Sequence, residues 1–154
     1  FRRLGRGTIC NISSLAGILP VPFFGHYCAT KHAIEALTES LKQELRPFGV
    51  RVFCVEPGDI NTGFNEAAVK TDMDKSAYGR WVKKFWQANI GIFEKAPGPD
   101  VIAVRIARLL KKRFPYTRYP AGDALSRLFP FLLRIIHRRL REKFIRVYYG
   151  VDFK

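Results

Sequence analysis

The sequence predicts an α/β fold built on a parallel sheet, and three observations carry that expectation. Two short runs rich in β-branched and apolar residues, Thr8–Ser13 and Val50–Val55, flank a long stretch with a helical apolar pattern. The second run is apolar apart from Arg51, as suits a strand covered on both faces. A connection of this length with a helix inside it joins parallel neighbours through a right-handed crossover. With 154 residues, 47% hydrophobic and 14% aromatic, the chain can bury one sizeable core, which excludes disorder, collagen and a disulfide-stapled miniprotein.

The elements follow in order. Gly5-Arg6-Gly7 punctuates the chain before the first strand, and Gly17, Pro20, Pro22 and Gly25 forbid regular structure between Leu15 and Gly25. From Tyr27 to Arg46 there is no Gly or Pro, and Ala33, Ala36, Leu37, Leu41 and Leu45 recur at helical spacing until Pro47 and Gly49 end the helix. After the second strand, Trp81, Phe85 and Trp86 suggest a short amphipathic helix over Lys75–Ile90. Pro97-Gly98-Pro99-Asp100 opens another, with Asp100 the expected cap and Val101–Lys112 the body, basic in its last turn as the helix dipole prefers. Tyr116–Pro120 reads as one more strand. Asp123–Tyr149 reads as a helix interrupted or kinked at Pro130.

Lys and Arg number 27 against 13 Asp and Glu, a net charge of +14, and the excess is lopsided. Residues 1–77 carry 9 basic and 8 acidic side chains, residues 78–154 carry 18 and 5, so an anionic partner belongs with the second half. Cys10, Cys28 and Cys54 are odd in number and lack C-x-x-C spacing, which points to buried reduced thiols and away from metal ligation or a disulfide framework. No apolar run reaches the ~18 residues of a membrane span. A start at Phe1, in what reads as the tail of a helix, suggests a fragment.

The chemistry starts with Tyr27 and Lys31, four apart near a helix start and therefore on one face. A phenol of pKa ~10 needs a nearby cation to serve as an acid or base at neutral pH, and a lysine one turn away can supply that field. Taken alone the pair proves little, since this composition produces about 0.4 such pairs by chance, and a solvated helix face would be the better reading. Its surroundings add weight. Ser14 ends the preceding strand, 13 positions before Tyr27, where a hydroxyl can meet the phenol at the sheet edge that binds ligands in open α/β folds.

Asn11-Ile-Ser-Ser-Leu-Ala-Gly17, Tyr27-Cys-Ala-Thr-Lys31 and Pro57-Gly-Asp-Ile-Asn-Thr62, in that order and at one sheet edge, resemble the catalytic half of a classical short-chain dehydrogenase/reductase. The resemblance implies a partial Rossmann-like doubly wound parallel sheet lacking its N-terminal dinucleotide-binding half. It implies hydride transfer between NAD or NADP and an alcohol or ketone. Tyr27 would be the general acid/base, and Ser14, preferred over Ser13 by its spacing, would polarise the substrate oxygen. Lys31 would lower the Tyr27 pKa and hold the nicotinamide ribose, while Pro57, Gly58, Ile60 and Thr62 would line the nicotinamide. The family's glycine-rich turn has no counterpart here, because Gly5-Arg6-Gly7 leads into a strand instead of a helix.

On this reading residues 1–122 form the catalytic half, with 65–95 as a substrate lid, and 123–154 a basic amphipathic extension. Apolar loops, with Phe23 and Phe24 as either pocket wall or core plug, suggest a lipid-, steroid- or retinoid-like substrate. Along the extension Leu125, Leu128, Phe129, Leu132, Ile136 and Leu140 fall on one helical face, with Arg127, Arg134, Arg138 and Arg141 opposite. That pattern suits a docked terminal helix or, as favoured here, an anionic membrane surface on the cytoplasmic side; no motif for specific nucleic-acid reading is present. A homo-oligomer through the 27–46 helix is a further expectation. The alternative to an enzyme is a catalytically incompetent membrane-associated or scaffolding fragment of the same fold.

Overall fold

A computed structural model describes residues 1–64 and 75–151. The sheet consists of β1 (Gly7–Ile12), β2 (Val50–Pro57) and β3 (Arg118–Ala121), in the order β1-β2-β3. Both pairings are parallel, with Gly7 opposite Val50 through Ile12 opposite Val55, and Cys54 opposite Arg118 through Pro57 opposite Ala121. The expected strand-helix-strand unit is therefore present, with β2 at the centre.

The two faces of the sheet differ in chemistry because successive side chains alternate. On one face Phe53, Val55, Tyr119 and Ala121 pack with Ile102 and Leu109 of helix α3 (Asp100–Leu110), forming the main apolar core. Burying a side chain such as Phe53, fully inaccessible here, stabilises by about 1.5–3 kcal/mol. The other face meets helix α1 (Gly25–Glu44) through polar pairs. Asn11 donates its amide to the Thr38 hydroxyl at 2.9 Å, and the Cys54 thiol donates to Glu35 at 3.1 Å. A 3₁₀ turn, Arg46–Phe48, containing Pro47, ends α1, and Gly49 at φ 66° turns the chain into β2.

Helix α2 spans Gly79–Lys95, so the element expected at Lys75–Ile90 is shifted toward the carboxyl end; residues 65–74 of the expected lid lie outside the described residues. Asp100 is not the cap of α3. It is the first helical residue, with Pro99 in the cap position, and it acts there through its charge in the first turn.

The carboxyl-terminal helix differs more. It is two helices, α4 (Ala124–Ile135) and α5 (Arg138–Tyr148), and the break is not at Pro130, which sits buried inside α4. The chain turns at Ile136 and His137, both extended in ψ, and the His137 ring nitrogen accepts from the Arg139 amide to start α5. A continuous stripe from Leu125 to Leu140 is therefore replaced by two shorter ones. The side chains of Leu125, Phe129 and Arg134 lie outside the described set. Helix α4 exposes Leu128, Phe131, Leu132 and Ile135, and α5 exposes Leu140, Phe144 and Val147. The opposite side of α5 is docked: Ile145 is buried against Leu19, and Tyr149 stacks on Phe85 with centroids 5.6 Å apart while its carbonyl accepts from Asn89.

Candidate active site

Two adjacent serines leave β1, and their environments separate their roles. Ser13 is buried; its amide donates to the Val55 carbonyl at 2.8 Å and its hydroxyl to the Lys31 carbonyl at 3.4 Å, so packing uses it up. Gly17 lets this turn approach α1, because a Cβ there would lie 2.6 Å from the Ser13 hydroxyl oxygen and 3.1 Å from the Lys31 carbonyl. Ser14 is extended and accepts from the Ala16 amide at 3.1 Å, capping the turn Leu15–Gly17. Its hydroxyl also donates to the Pro57 carbonyl at 3.4 Å and lies near enough to the Tyr27 phenol to lower that group's pKa.

Tyr27 stands in the first turn of α1, half-buried, with Lys31 one turn further along. The structure thus joins the three residues picked out as catalytic. The Lys31 ammonium donates to the Ile12 carbonyl at 3.0 Å and sits 5.5 Å from the centre of the Tyr27 ring. The Tyr27 pKa lies above its ordinary value. Burial raises it most, outweighing the lowering by Ser14, while Cys28 adds a smaller raising effect. Burial also lowers the Lys31 pKa. At neutral pH the phenol is a protonated donor.

Aromatic rings wall the phenol. Phe64 lies 5.3 Å and Phe24 6.3 Å from the Tyr27 ring centre, and Phe24 continues to Phe85 and Trp86, each at 5.8 Å. Phe24 is therefore both wall and packing, and Phe23, at φ 65°, packs edge-on against Phe85 with centroids 5.8 Å apart. Phe64 is not legible in the sequence as a site residue, because it is a lone aromatic with no periodic pattern around it; Trp86 carries only the hint of an aromatic cluster in α2.

The loop after β2 is held in place residue by residue. The Gly58 amide donates to the Ala121 carbonyl at 2.9 Å, and its α-carbon lies so close to Ser126 and Leu15 that a Cβ would collide with the Ser126 side chain. Ile60 packs on the main core, and Asn61 is tied to Pro97 and Glu94. Thr62 accepts from the Phe64 amide at 3.3 Å, the turn that brings Phe64 onto Tyr27. Of the four residues expected to line a nicotinamide, Pro57 touches Ser14 directly, Thr62 acts through Phe64, and Gly58 and Ile60 are engaged with β3, α4 and the core.

Beneath α1 lies a buried polar group of Glu35, Cys54 and Glu56, whose ligand-type atoms fall within 4.8 Å of one another. Arg118 Nε approaches Glu35 Oε2 at 3.3 Å and its Nη2 reaches Glu39 at 2.9 Å. Burial and the neighbouring carboxylates push the Cys54 thiol far above its ordinary range, so it stays protonated and donates. With Arg118 supplying the positive charge, the cluster ties α1 to β3. All three cysteines are free thiols.

Comparison with known proteins agrees with this fold. The short chain dehydrogenase profile matches residues 1–73. The chain is 36% identical over 115 residues to a probable short-chain type dehydrogenase/reductase, VdlC, of Helicobacter pylori, covering 74% of this chain and 42% of the relative. It is 27% identical over 154 residues to a 3-ketodihydrosphingosine reductase of Bacteroides thetaiotaomicron, covering 97% and 56%. The crystal structure of a short-chain dehydrogenase from Streptomyces avermitilis superposes with a TM-score of 0.68 at 32% identity, covering 98% of this chain and 55% of that one. The chain belongs to the short-chain dehydrogenase/reductase family. It spans about half the length of the curated relatives it matches.

Proposed function

We propose that this chain carries the proton-transfer site of a nicotinamide-dependent oxidoreductase acting on a hydrophobic alcohol or ketone. The gathering of Ser14, Tyr27 and Lys31 at the carboxyl edge of the sheet, with Ser14 fixed to Ala16 and Pro57 and the Lys31 ammonium 5.5 Å from the Tyr27 ring centre, carries the reading. A carbonyl oxygen set between the two hydroxyls accepts a hydrogen bond from each, and the protonated Tyr27 donates its proton as negative charge builds on that oxygen. In the reverse direction Tyr27 accepts the proton of the alcohol. Ser14 is held toward the phenol by its cap on Ala16 and cannot swing away without losing it.

The residues present fit the nicotinamide-ribose end of NAD or NADP. Lys31 is partly exposed and spends one of its three N–H donors on Ile12, leaving two for ribose hydroxyls. Pro57 and Thr62 would border the nicotinamide. The cofactor, when bound, supplies or accepts the hydride at the carbon bearing the oxygen. Phe24 and Phe64 beside Tyr27 favour an apolar substrate, as does the similarity to a 3-ketodihydrosphingosine reductase.

The test is a chimera in which the amino-terminal half of the Bacteroides reductase precedes Phe1, assayed for reduction of 3-ketodihydrosphingosine. Tyr27→Phe should reduce turnover by ~100-fold or more with dinucleotide binding largely kept, and Lys31→Ala should damage both. Near-normal turnover in Tyr27→Phe removes Tyr27 from the acid/base role.

A specific observation favours a peripheral membrane contact as well. The exposed Leu140-Phe144-Val147 stripe of α5 is flanked by Arg139, Arg141, Lys143 and Arg146, and α4 adds Leu128, Phe131, Leu132 and Ile135. Acyl chains would take the apolar stripes at ~25 cal/mol per Å², and anionic headgroups would contribute ~1 kcal/mol per basic residue. Among the described residues no helix is long and apolar enough to cross a membrane. Co-sedimentation should be stronger with anionic than with neutral vesicles and should fall on Leu132→Glu or Leu140→Glu. Vesicle binding combined with failure of the chimera to bind dinucleotide would support the scaffolding alternative. The exposed α1 face of Ala29, Ala33, Ala36 and Leu37 offers a close-packing surface to a second copy, and a monomeric mass by light scattering would exclude that dimer.

A further inference from the structure

A cavity of about 130 Å³ lies past the carboxyl end of β3, between α3 and the start of α4. Ala121 and Gly122 form part of its wall, and three arginines line it, Arg105 and Arg108 from α3 and Arg127 from α4. Arg105 and Arg108, three apart, share a helix face, and Gly122 at φ +127° redirects the chain so that the first turn of α4 brings Arg127 back toward them. None of this belongs to the Tyr27 group.

Arg105 is half-buried while Arg108 and Arg127 reach solvent, so an anion seated in the hollow meets three positive charges at once. Among the described residues no carboxylate lies within ion-pair distance of any of the three. Asp123, one turn before Arg127, acts on it only at longer range, and its carboxylate is occupied capping Ser126. The Arg105 Nε is buried without a hydrogen-bond partner, its guanidinium lying 5.9 Å from the Tyr119 ring centre. A buried N–H without an acceptor marks the place where an acceptor fits.

We propose that this cavity binds a tetrahedral oxyanion of the phosphate-monoester class. A carboxylate presents one edge and is satisfied by a single guanidinium fork, whereas three forks arriving from two helices match a group with three peripheral oxygens. The cavity has room for one such group. The phosphate can come free in solution or on a lipid headgroup, because α4 leads from Arg127 directly into its exposed apolar stripe.

Calorimetric titration of the 154-residue chain with inorganic phosphate, at constant ionic strength with chloride as the control anion, tests the shared chemistry. One saturable site per chain is expected. Arg108→Gln and Arg127→Gln, both at exposed positions that circular dichroism can verify as folded, should each weaken it by roughly ten-fold. Arg105→Lys keeps the charge but loses the fork and should weaken binding as well, whereas Arg139→Gln on α5 should leave it unchanged. Vesicles of phosphatidic acid and phosphatidylserine at matched surface charge distinguish the sources. A preference for phosphatidic acid that Arg108→Gln abolishes assigns the site to a lipid headgroup; phosphate binding without that preference assigns it to a free phosphate group. No saturable phosphate binding together with no Arg108-dependent vesicle preference overturns the proposal, as does phosphate binding that both Arg108→Gln and Arg127→Gln leave intact. Either result leaves the Tyr27 chemistry and the general membrane contact standing or falling on their own tests.

Discussion

Replacing Arg118 by Met should be among the most damaging single changes outside the apolar core, although Arg118 lies on the edge strand. Its Nε is 3.3 Å from Glu35 Oε2, and the Glu35 side chain is only 3% exposed against 25% for Arg118. Removing the guanidinium strands a carboxylate between α1 and the sheet, an event that costs about 3–5 kcal/mol. The second contact of Arg118, to Glu39, involves a side chain 52% exposed and is worth about 0–1 kcal/mol. Arg118→Met should therefore cost about 3 kcal/mol, while Glu35→Met should cost less, because Arg118 still reaches Glu39 and water. At about 2–4 °C per kcal/mol for a chain this size, the predicted loss in Tm for Arg118→Met is about 6–12 °C. Urea denaturation of wild type, both single variants and the double variant at pH 7 gives the coupling directly. An Arg118→Met cost under ~1 kcal/mol, or a Glu35→Met cost exceeding it, would refute the view that this pair clamps α1, and Tyr27 with it, onto the sheet.

Three further outcomes follow from local features. Burial and the neighbouring Asp123 raise the Asp59 pKa, so its contribution to stability is fully present below pH ~3.9 and lost as pH rises through the folded value. Asp59→Asn should accordingly be more stable than wild type in urea at pH 7, with the difference closing toward pH 4. Asp123 shows the opposite sign, its pKa lowered by its hydrogen bonds to Ser126, so its help is present above the ordinary carboxylate pKa and lost as pH falls. Asp123→Ala removes the α4 cap and should cost about 1 kcal/mol by denaturation at pH 7. Gly58→Ala should cost about 1–3 kcal/mol because its Cβ would overlap the Ser126 side chain, and adding Ser126→Gly should recover much of that loss.

The sheet and α1 were legible because their signals are local: β-branched runs bounded by glycine and proline, and apolar positions recurring along a stretch free of both. The Ser14, Tyr27 and Lys31 constellation was legible because a parallel crossover puts the ends of β1 and β2 on one edge. What the sequence hid depends on tertiary packing. Pro130 looked like the break, yet it is buried within α4, and the turn falls at Ile136 and His137, residue types that rarely signal a helix boundary. Spacing could not show the burial of Tyr27, because the rings beside it, Phe24 and Phe64, come from segments far apart in the sequence. The Arg105, Arg108 and Arg127 group was likewise scattered, meeting only once Gly122 turns α4 back toward α3.

The all-parallel order β1-β2-β3 has a kinetic consequence. Among the described residues every strand meets its neighbour only after a crossover, so each of these pairings requires closure of a long loop before any contact repays it. The β1-α1-β2 unit closes the shorter of the two loops and makes six register pairs, whereas β3 arrives across a longer span and makes four. On loop length the first unit is the expected nucleus, with β3 and its Arg118 clamp docking after it. Contacts that form after the transition state govern escape from the native state more than entry to it. The lifetime of the assembled Ser14–Tyr27–Lys31 geometry therefore rests on β3, a short strand that contributes none of those side chains.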